Sequence, residues 1–373
     1  MSRFLRRVWA ISAKEVRHVL RDVRTLYLAL GMPVVLLLLF GYGVSFDLDR
    51  LPIAFVDLDG SASSRALRQR LTSSEDFDDV GLLTGAADAE RALVAGEIIA
   101  ALVIPRGFEE DLVRGRATEL QLLVDGADNN SAVQAMAKAE AAARVLGVSL
   151  RAQAIRAAPP IQAATWTRFN PDGRSAIFLV PGITAYVLAI VAVLLTALTV
   201  SREWEQGSMA QLFATPVGRL EIVLGKLLPY LVLGTLVVLL VLAVGAWVFD
   251  VPFRGSPFAL SVLSFLFLAG MLGQGLLISV VARNQMVATQ MATMSSMLPS
   301  MLLSGFVFPI ENMPQVLQWV TVVVPARYFV EGLRGVLLRG NDLSVLWPQA
   351  LALAGFAFVA LALSTARFRR TVA

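Results

Sequence analysis

Residues 201–226 read SREWEQGSMAQLFATPVGRLEIVLGK, a short polar insert between two long apolar runs. The insert opens on Arg202, Glu203 and Glu205, breaks at Gly207 and continues as a compact amphipathic piece from Ser208 to Ala214. Thr215, Pro216, Val217 and Gly218 turn the chain, and Arg219, Glu221 and Lys226 lead into the next hydrophobic run. A connection between two membrane crossings rarely needs so much structure in so few residues. The stretch therefore reads as a cytoplasmic loop that receives force from a partner.

The whole chain supports the membrane reading. It has 373 residues, is 57% hydrophobic and only 16% charged, with a mean hydropathy of +0.69. A soluble domain carries roughly 25% charged residues, and uncharged runs of about 20 residues belong in lipid. There is no cysteine, which excludes disulfides, thiolate metal sites and cysteine nucleophiles. The single histidine, His18, stands among Arg17, Arg21 and Arg24 and reads as part of a polar helix face. Histidine-based triads and metal clusters are accordingly not expected.

Charge is unevenly spread. Residues 47–172 hold 19 acidic and 13 basic side chains, a net of −6, while the rest of the chain has a net of +10. The basic excess flanks apolar runs, as membrane topology requires, so it is poor evidence for nucleic acid.

Read in order, residues 1–25 form a cytoplasmic amphipathic helix. Phe4, Val8 and Ile11, and also Trp9, Val16 and Leu20, recur at helical spacing among arginines and Lys14. The first span is 26–46, uncharged throughout, with Pro33 inside it. Residues 47–174 change character: strands at Pro52–Asp57, Val80–Leu83, Ile98–Ile104 and Glu119–Val124 alternate with helices at Ser61–Leu71, Ala87–Ala95 and Phe108–Val113. A long alanine-rich helix over 128–158 and a last strand over 161–169 follow. The alternation predicts a small α/β domain outside the bilayer.

Further spans are 175–201, 227–249, 255–282, 285–310 and 343–366, with 202–226 as the cytoplasmic loop. Residues 311–342 are mixed, and the apolar run Trp319–Ala326 is too short to cross, which suggests a re-entrant or interfacial piece. A basic tail, 367–373, closes the chain. The expected fold is thus an α-helical integral membrane protein with six transmembrane helices and a small α/β extracytoplasmic domain. Basic flanks place both termini in the cytoplasm, which requires an even number of spans.

No energy source is visible. A phosphate-binding loop needs G-x-x-x-x-G-K-[ST], so that backbone N–H groups cradle phosphate oxygens beside the lysine. The nearest approach, Gly218 with Gly225-Lys226, has six residues between the glycines and a leucine after the lysine. The spans lack the ionisable run of a proton relay. The acidic pairs Asp78-Asp79 and Glu109-Glu110 read as a solvated face rather than as catalysts. Met291, Met294, Met297 and Met301 share a helical spacing and form a candidate substrate path for adaptable apolar ligands, although such spacing also suits packing.

The loop resembles a known family. Residues 202–230, REWEQGSMAQLFATPVGRLEIVLGKLLPY, are similar to the signature R-E-x-E-x-G-[ST]-x-x-x-L-x-x-[ST]-P of type-2 ABC exporter permeases. Arg202, Glu203, Glu205, Gly207, Ser208, Leu212, Thr215 and Pro216 match it position by position. The segment Phe169–Gly182 resembles the entry to the second span in the subgroup with a large extracytoplasmic domain. Phe306–Pro314 followed by Pro325-Ala326-Arg327-Tyr328 resembles the segment before the last span.

The resemblance implies a permease in a bacterial inner membrane, and the chain's 29 arginines against 3 lysines hint at a GC-rich bacterial genome. It implies two permeases, as copies or paralogues, with two cytoplasmic ATPases that bind ATP and Mg; this chain itself holds no cofactor. A periplasmic adaptor is a further candidate partner, membrane lipid surrounds the spans, and no nucleic acid is involved. Arg202, Glu203, Glu205, Gly207, Leu212, Phe213, Thr215 and Pro216 become the ATPase-coupling residues: Leu212 and Phe213 as an apolar anchor, the glutamates as ionic contacts, Gly207 and Pro216 fixing the angles. The expected function is export of a hydrophobic or amphipathic substrate, drug-like or lipid. The alternative is a membrane-anchored extracytoplasmic sensor or interaction protein without transport, for which the chain offers no cytoplasmic output domain.

Overall fold

In the computed structural model, residues 3–43, 51–73, 77–114, 116, 118–126, 132, 135–141, 143, 175–209, 211 and 215–368 are described. The chain divides into two units: Met1–Ser45 with Arg168–Ala373, and Phe46–Thr167.

The larger unit is helical. It begins with α1 (Arg3–Arg21), α2 (Val23–Leu26), a π-helical turn over Tyr27–Gly31 and α3 (Met32–Gly43). After the second unit come α7 (Ser175–Glu205), α8 (Arg219–Val248), α9 (Pro257–Ala282) and α10 (Gln285–Leu302). Two short helices, α11 (Gln315–Thr321) and α12 (Pro325–Arg334), precede α13 (Trp347–Arg367).

Four described helices are long and apolar enough to cross a membrane: α7, α8, α9 and α13. The apolar stretch Tyr27–Gly43 is shorter, and the expected first span, 26–46, runs beyond the described residues. In α7 the apolar window is 89% buried, against 22% in α13. The difference makes α7 the central post, with α3, α8, α9, α10 and α12 packed around it, and puts α13 at the periphery against α9 and α12.

Hydroxyl groups bind these helices where apolar surface alone discriminates poorly between neighbours. The Val200 and Ser201 N–H groups of α7 donate to Ser279 Oγ of α9, at 3.0 and 2.9 Å. Thr196 Oγ1 donates to the Leu272 carbonyl at 2.9 Å, and the Ser364 hydroxyl of α13 donates to the Gly273 carbonyl of α9 at 3.1 Å. The Phe267 and Phe329 rings stack at 4.1 Å between α9 and α12.

Three expected boundaries move. Helix α7 does not stop at Ser201 but carries the charged residues Arg202, Glu203 and Glu205 as its last turn. Helix α8 starts at Arg219, ahead of the apolar run, because Glu221 folds back and its Oε2 accepts from the Gly218 N–H at 2.6 Å. The expected fifth span, 285–310, is helical only to Leu302. Beyond it Phe306 turns inward and its ring stacks on Tyr186 of α7 at 6.2 Å. The backbone freed there is bonded by the protein itself: Arg334 Nη1 donates to the Gly305 carbonyl at 3.0 Å. The apolar run expected to dip into the bilayer, Trp319–Ala326, is split between α11 and α12.

The second unit contains a four-stranded sheet in the order β2-β1-β3-β4. Its strands are β1 (Leu51–Asp57), β2 (Phe77–Leu82), β3 (Ala100–Ile104) and β4 (Gln121–Val124), with α4 (Ala62–Thr72), α5 (Ala86–Val94) and α6 (Phe108–Val113) between them. Strand β1 runs parallel to β2 and β3, and β4 is antiparallel to β3. Alternation along β1 divides the core. Leu51, Ile53 and Phe55 pack with Leu67, Leu71 and Phe108 on one face; Ala54 and Val56 pack with Ala89, Ile98 and Val103 on the other. The helix expected over 128–158 is described only at a few positions, and the strand expected over 161–169 lies outside the described residues.

Candidate functional site

The site is built on three helix ends in the larger unit. Helix α1 buries Val8, Ile11, Ser12, Glu15 and Val19, a stripe at 3.6-residue periodicity, while its arginines face outward. The stripe packs on α8. Contact is close at Gly225, where a Cβ would stand 2.7 Å from Ile11 Cβ and 3.2 Å from the Val8 carbonyl. Only a glycine lets the two helices meet there, and Ser12 Oγ donates to the Gly225 carbonyl at 2.9 Å. A second apolar strip of α1, Leu5, Trp9, Val16 and Leu20, is exposed.

Two of these buried positions are charged and meet across the helices. Lys226 of α8, 2% exposed, lies with its Nζ 2.7 Å from Glu15 Oε1 of α1 and 2.8 Å from Glu203 Oε2 of α7. Lys14 Nζ closes the group at 2.9 Å from Glu203 Oε1. An ion pair out of water must be well matched to hold, and here one buried ammonium faces two carboxylates. At the rim, Arg7 Nη1 stands 3.5 Å from Glu221 Oε2.

The turn Arg202–Glu205 fans out around α7. Successive residues on an α-helix are about 100° apart, so four in a row face every side. Arg202 Nη1 donates to Asp22 Oδ2 at 3.1 Å and lies 3.2 Å from His18 Nε2. Glu203 enters the lysine cluster, and Trp204 receives the Arg283 guanidinium over its ring at 4.7 Å. Glu205 Oε1 accepts from the Gln285 N–H at 2.8 Å, and its other oxygen accepts from the Gln285 side chain. One turn thus ties α7 to α1, to α8 and to the start of α10. Burial pushes the Asp22 carboxyl up, but the Thr25 hydroxyl and Arg202 outweigh it and hold the group at about 2.

Of the sequence-derived coupling residues, Arg202, Glu203 and Glu205 come together at this junction. Gly207 follows at φ +71, a left-handed conformation that ends the helix and that other residues adopt only at a cost. Thr215 and Pro216 lie in the turn before α8, where the Val217 N–H donates to the Thr215 carbonyl at 2.8 Å. Leu212 and Phe213 lie outside the described residues. Met291, Met294 and Met297 are exposed on α10, and Met301 packs partly on the core. The buried face of α10 is instead Ala288, Ala292, Ser296 and Ser300. Among the described residues no cluster of His, Asp and Glu could hold a metal.

Sequence reasoning missed Ser12, Glu15 and Lys226. The signal was present: Glu15 is an acid in a basic helix, on the same stripe as Val8, Ile11 and Val19, and Lys226 stands beside an apolar run.

The junction is formed by the loop whose sequence carries the family resemblance, and residues 23–366 match the family described as ABC-2 family transporter protein. The chain belongs to that family. It is a permease of the ABC transporter class. Among curated relatives, the probable multidrug ABC transporter permease YbhS of Escherichia coli K12 is 35% identical over 98% of this chain and 97% of its own length. The probable multidrug ABC transporter permease YbhR of the same strain is 28% identical over 98% and 99%. The linearmycin resistance permease protein LnrN of Bacillus subtilis 168 is 24% identical over 95% and 98%. An ABC-2 permease works with ATPase subunits.

Proposed function

We propose that this permease is the membrane subunit of an ATP-driven exporter, moving a hydrophobic or amphipathic substrate outward with power from a separate ATPase. The observation that carries the reading is the placement of Glu203. Its carboxylate meets Lys226 of α8 and Lys14 of α1 at 2.8 and 2.9 Å, so that displacement of the loop after α7 is felt by both helices. The relatives support the cargo class, since two are named multidrug permeases and one a linearmycin resistance permease. In this reading the chain makes six crossings in the inner membrane with both termini cytoplasmic. The exposed strip of α1, Leu5, Trp9, Val16 and Leu20, rests in the lipid interface. Residues 47–174 lie on the far side of the membrane, and a second copy or paralogue completes the transporter.

Leu212, Phe213 and the outward groups of 202–216 dock the ATPase. The test is co-purification with the ATPase, followed by transport and ATP hydrolysis in vesicles. Leu212→Ala is expected to leave the permease inserted while separating hydrolysis from transport. Full transport by Leu212→Ala, or recovery of a kinase in place of an ATPase, overturns the reading.

A further inference from the structure

A cavity of about 310 Å³ lies between α1, the turn after it, α7 and α8. One wall is hydrocarbon, made by Leu28, Met32, Val191, Leu194, Leu195 and Leu198. The other end is polar, with Lys14, Glu15, His18, Arg202, Glu203 and Gln206. Exposed lining residues occur at both ends, Leu28 at the apolar one and His18 and Gln206 at the polar one.

Size and charge narrow what fits. At about 310 Å³ the cavity is at the small end of the ~300–1,000 Å³ range of small-molecule pockets, which suits one acyl chain better than two. The charged lining is already matched within the protein. Glu15 and Glu203 face Lys226, Glu203 also faces Lys14, and Arg202 faces Asp22. A ligand bringing a net charge would find no unopposed partner and would lose hydration on entering. Hydrogen-bonding groups without charge remain, from Gln206, Gln211, Ser208 and Thr199.

We infer that this cavity binds a single-chain amphiphile whose head group has no net charge and is rich in hydrogen-bonding atoms. Its chain lies against α7 and its head beneath α1. The inference deepens the export reading by naming a place and head-group class for an amphiphile. Binding itself requires no ATPase, so a failure here is separate from a failure of coupling.

The test uses the full chain in amphipol with four photoreactive probes, each on a twelve-carbon chain: a maltoside, a phosphocholine, a carboxylate and a trimethylammonium. The expected result is crosslinking to peptides of α7 around Val191–Leu198. Binding by the uncharged and zwitterionic probes should be at least about tenfold tighter than by either charged probe. A two-chain phosphatidylcholine should compete poorly. Leu194→Trp fills the cavity and should reduce binding at least tenfold. Should that variant fail to fold, Gln206→Ala, at an exposed position, should weaken the maltoside severalfold and leave the carboxylate unchanged. Crosslinks elsewhere, preference for a charged head, or tight binding by the filled or Gln206→Ala variants each overturn the inference.

Discussion

Lys226 Nζ and Glu15 Oε1 lie 2.7 Å apart although 211 residues separate them in the chain, and both side chains are at most 5% exposed. The pair fastens the amphipathic first helix to the start of α8. Glu203 of α7 shares the same ammonium at 2.8 Å. Three segments that are distant in sequence therefore meet at one proton-rich nitrogen, next to the loop that distinguishes the family.

Removing one partner of such a cluster leaves a buried charge uncompensated, which costs about 3–5 kcal/mol. Lys226→Met is expected to destabilise the protein by this order, since Glu15 and Glu203 then face each other without the ammonium. The double variant Glu15→Gln/Lys226→Met should recover at least half of the loss, because Glu203 keeps Lys14. Thermal unfolding of the single and double variants in detergent gives the coupling energy. Additive losses would show that the pair contributes no mutual stabilisation.

Gly225 allows α1 and α8 to touch, so a methyl group there should lift α1. With Ile11 Cβ 2.7 Å and the Val8 carbonyl 3.2 Å from the position of a new Cβ, Gly225→Ala forces a shift costing about 1–3 kcal/mol. The absence of native cysteine provides a clean readout. A cysteine placed at Ile11 should react slowly with a maleimide in the parent and at least several times faster beside Gly225→Ala. Equal rates would mean that the backbone absorbs the methyl without moving α1.

The limits of sequence reading are visible in the same residues. Apolar runs revealed α7, α8, α9 and α13, because twenty uncharged residues in a row have few alternatives to lipid. Their ends were misplaced where charges carry a helix past the apolar run: Arg202 and Glu203 do so through partners distant in sequence, which no local pattern encodes, and Glu221 by capping the Gly218 N–H. Beyond the stop of α10 at Leu302, Phe306 reaches Tyr186, again a long-range contact. The loop 202–216 was recognisable by its order of residue types, yet the order alone did not show that Glu203 points into the protein.

Asp22 links pH to the hold of α7 on the turn after α1. Its carboxyl is held at about 2 rather than near 3.8, although burial opposes this, by the Thr25 hydroxyl and Arg202. A lowered carboxylate contributes stability above its unfolded value and loses it as pH falls from about 4 towards 2. Water screens the pair with Arg202, leaving about 1 kcal/mol. Asp22→Asn should therefore melt a few degrees below the parent at pH 7, and the gap should close near pH 2–3. A gap that persists unchanged at pH 2 would assign the effect to packing rather than to charge.

Glu203 and Glu205 occupy the same turn and predict opposite phenotypes. Glu203 is drawn into the lysine cluster, whereas Glu205 is exposed and bonds only Gln285 among the described residues. Glu203→Ala should cost about 3 kcal/mol, because Lys226, 2% exposed, is left with one carboxylate. Glu205→Ala should cost far less, because its contact is exposed. If the outward groups of the turn meet the ATPase, Glu205→Ala retains the melting temperature of the parent and loses most of its coupling of hydrolysis to transport. Glu203→Ala instead loses both together. Melting temperature and coupling ratio measured on the same vesicle preparations separate the two cases. A Glu205→Ala protein that melts early and transports normally would reverse the assignment, making Glu205 a structural tie to α10 and leaving ATPase contact to Leu212 and Phe213.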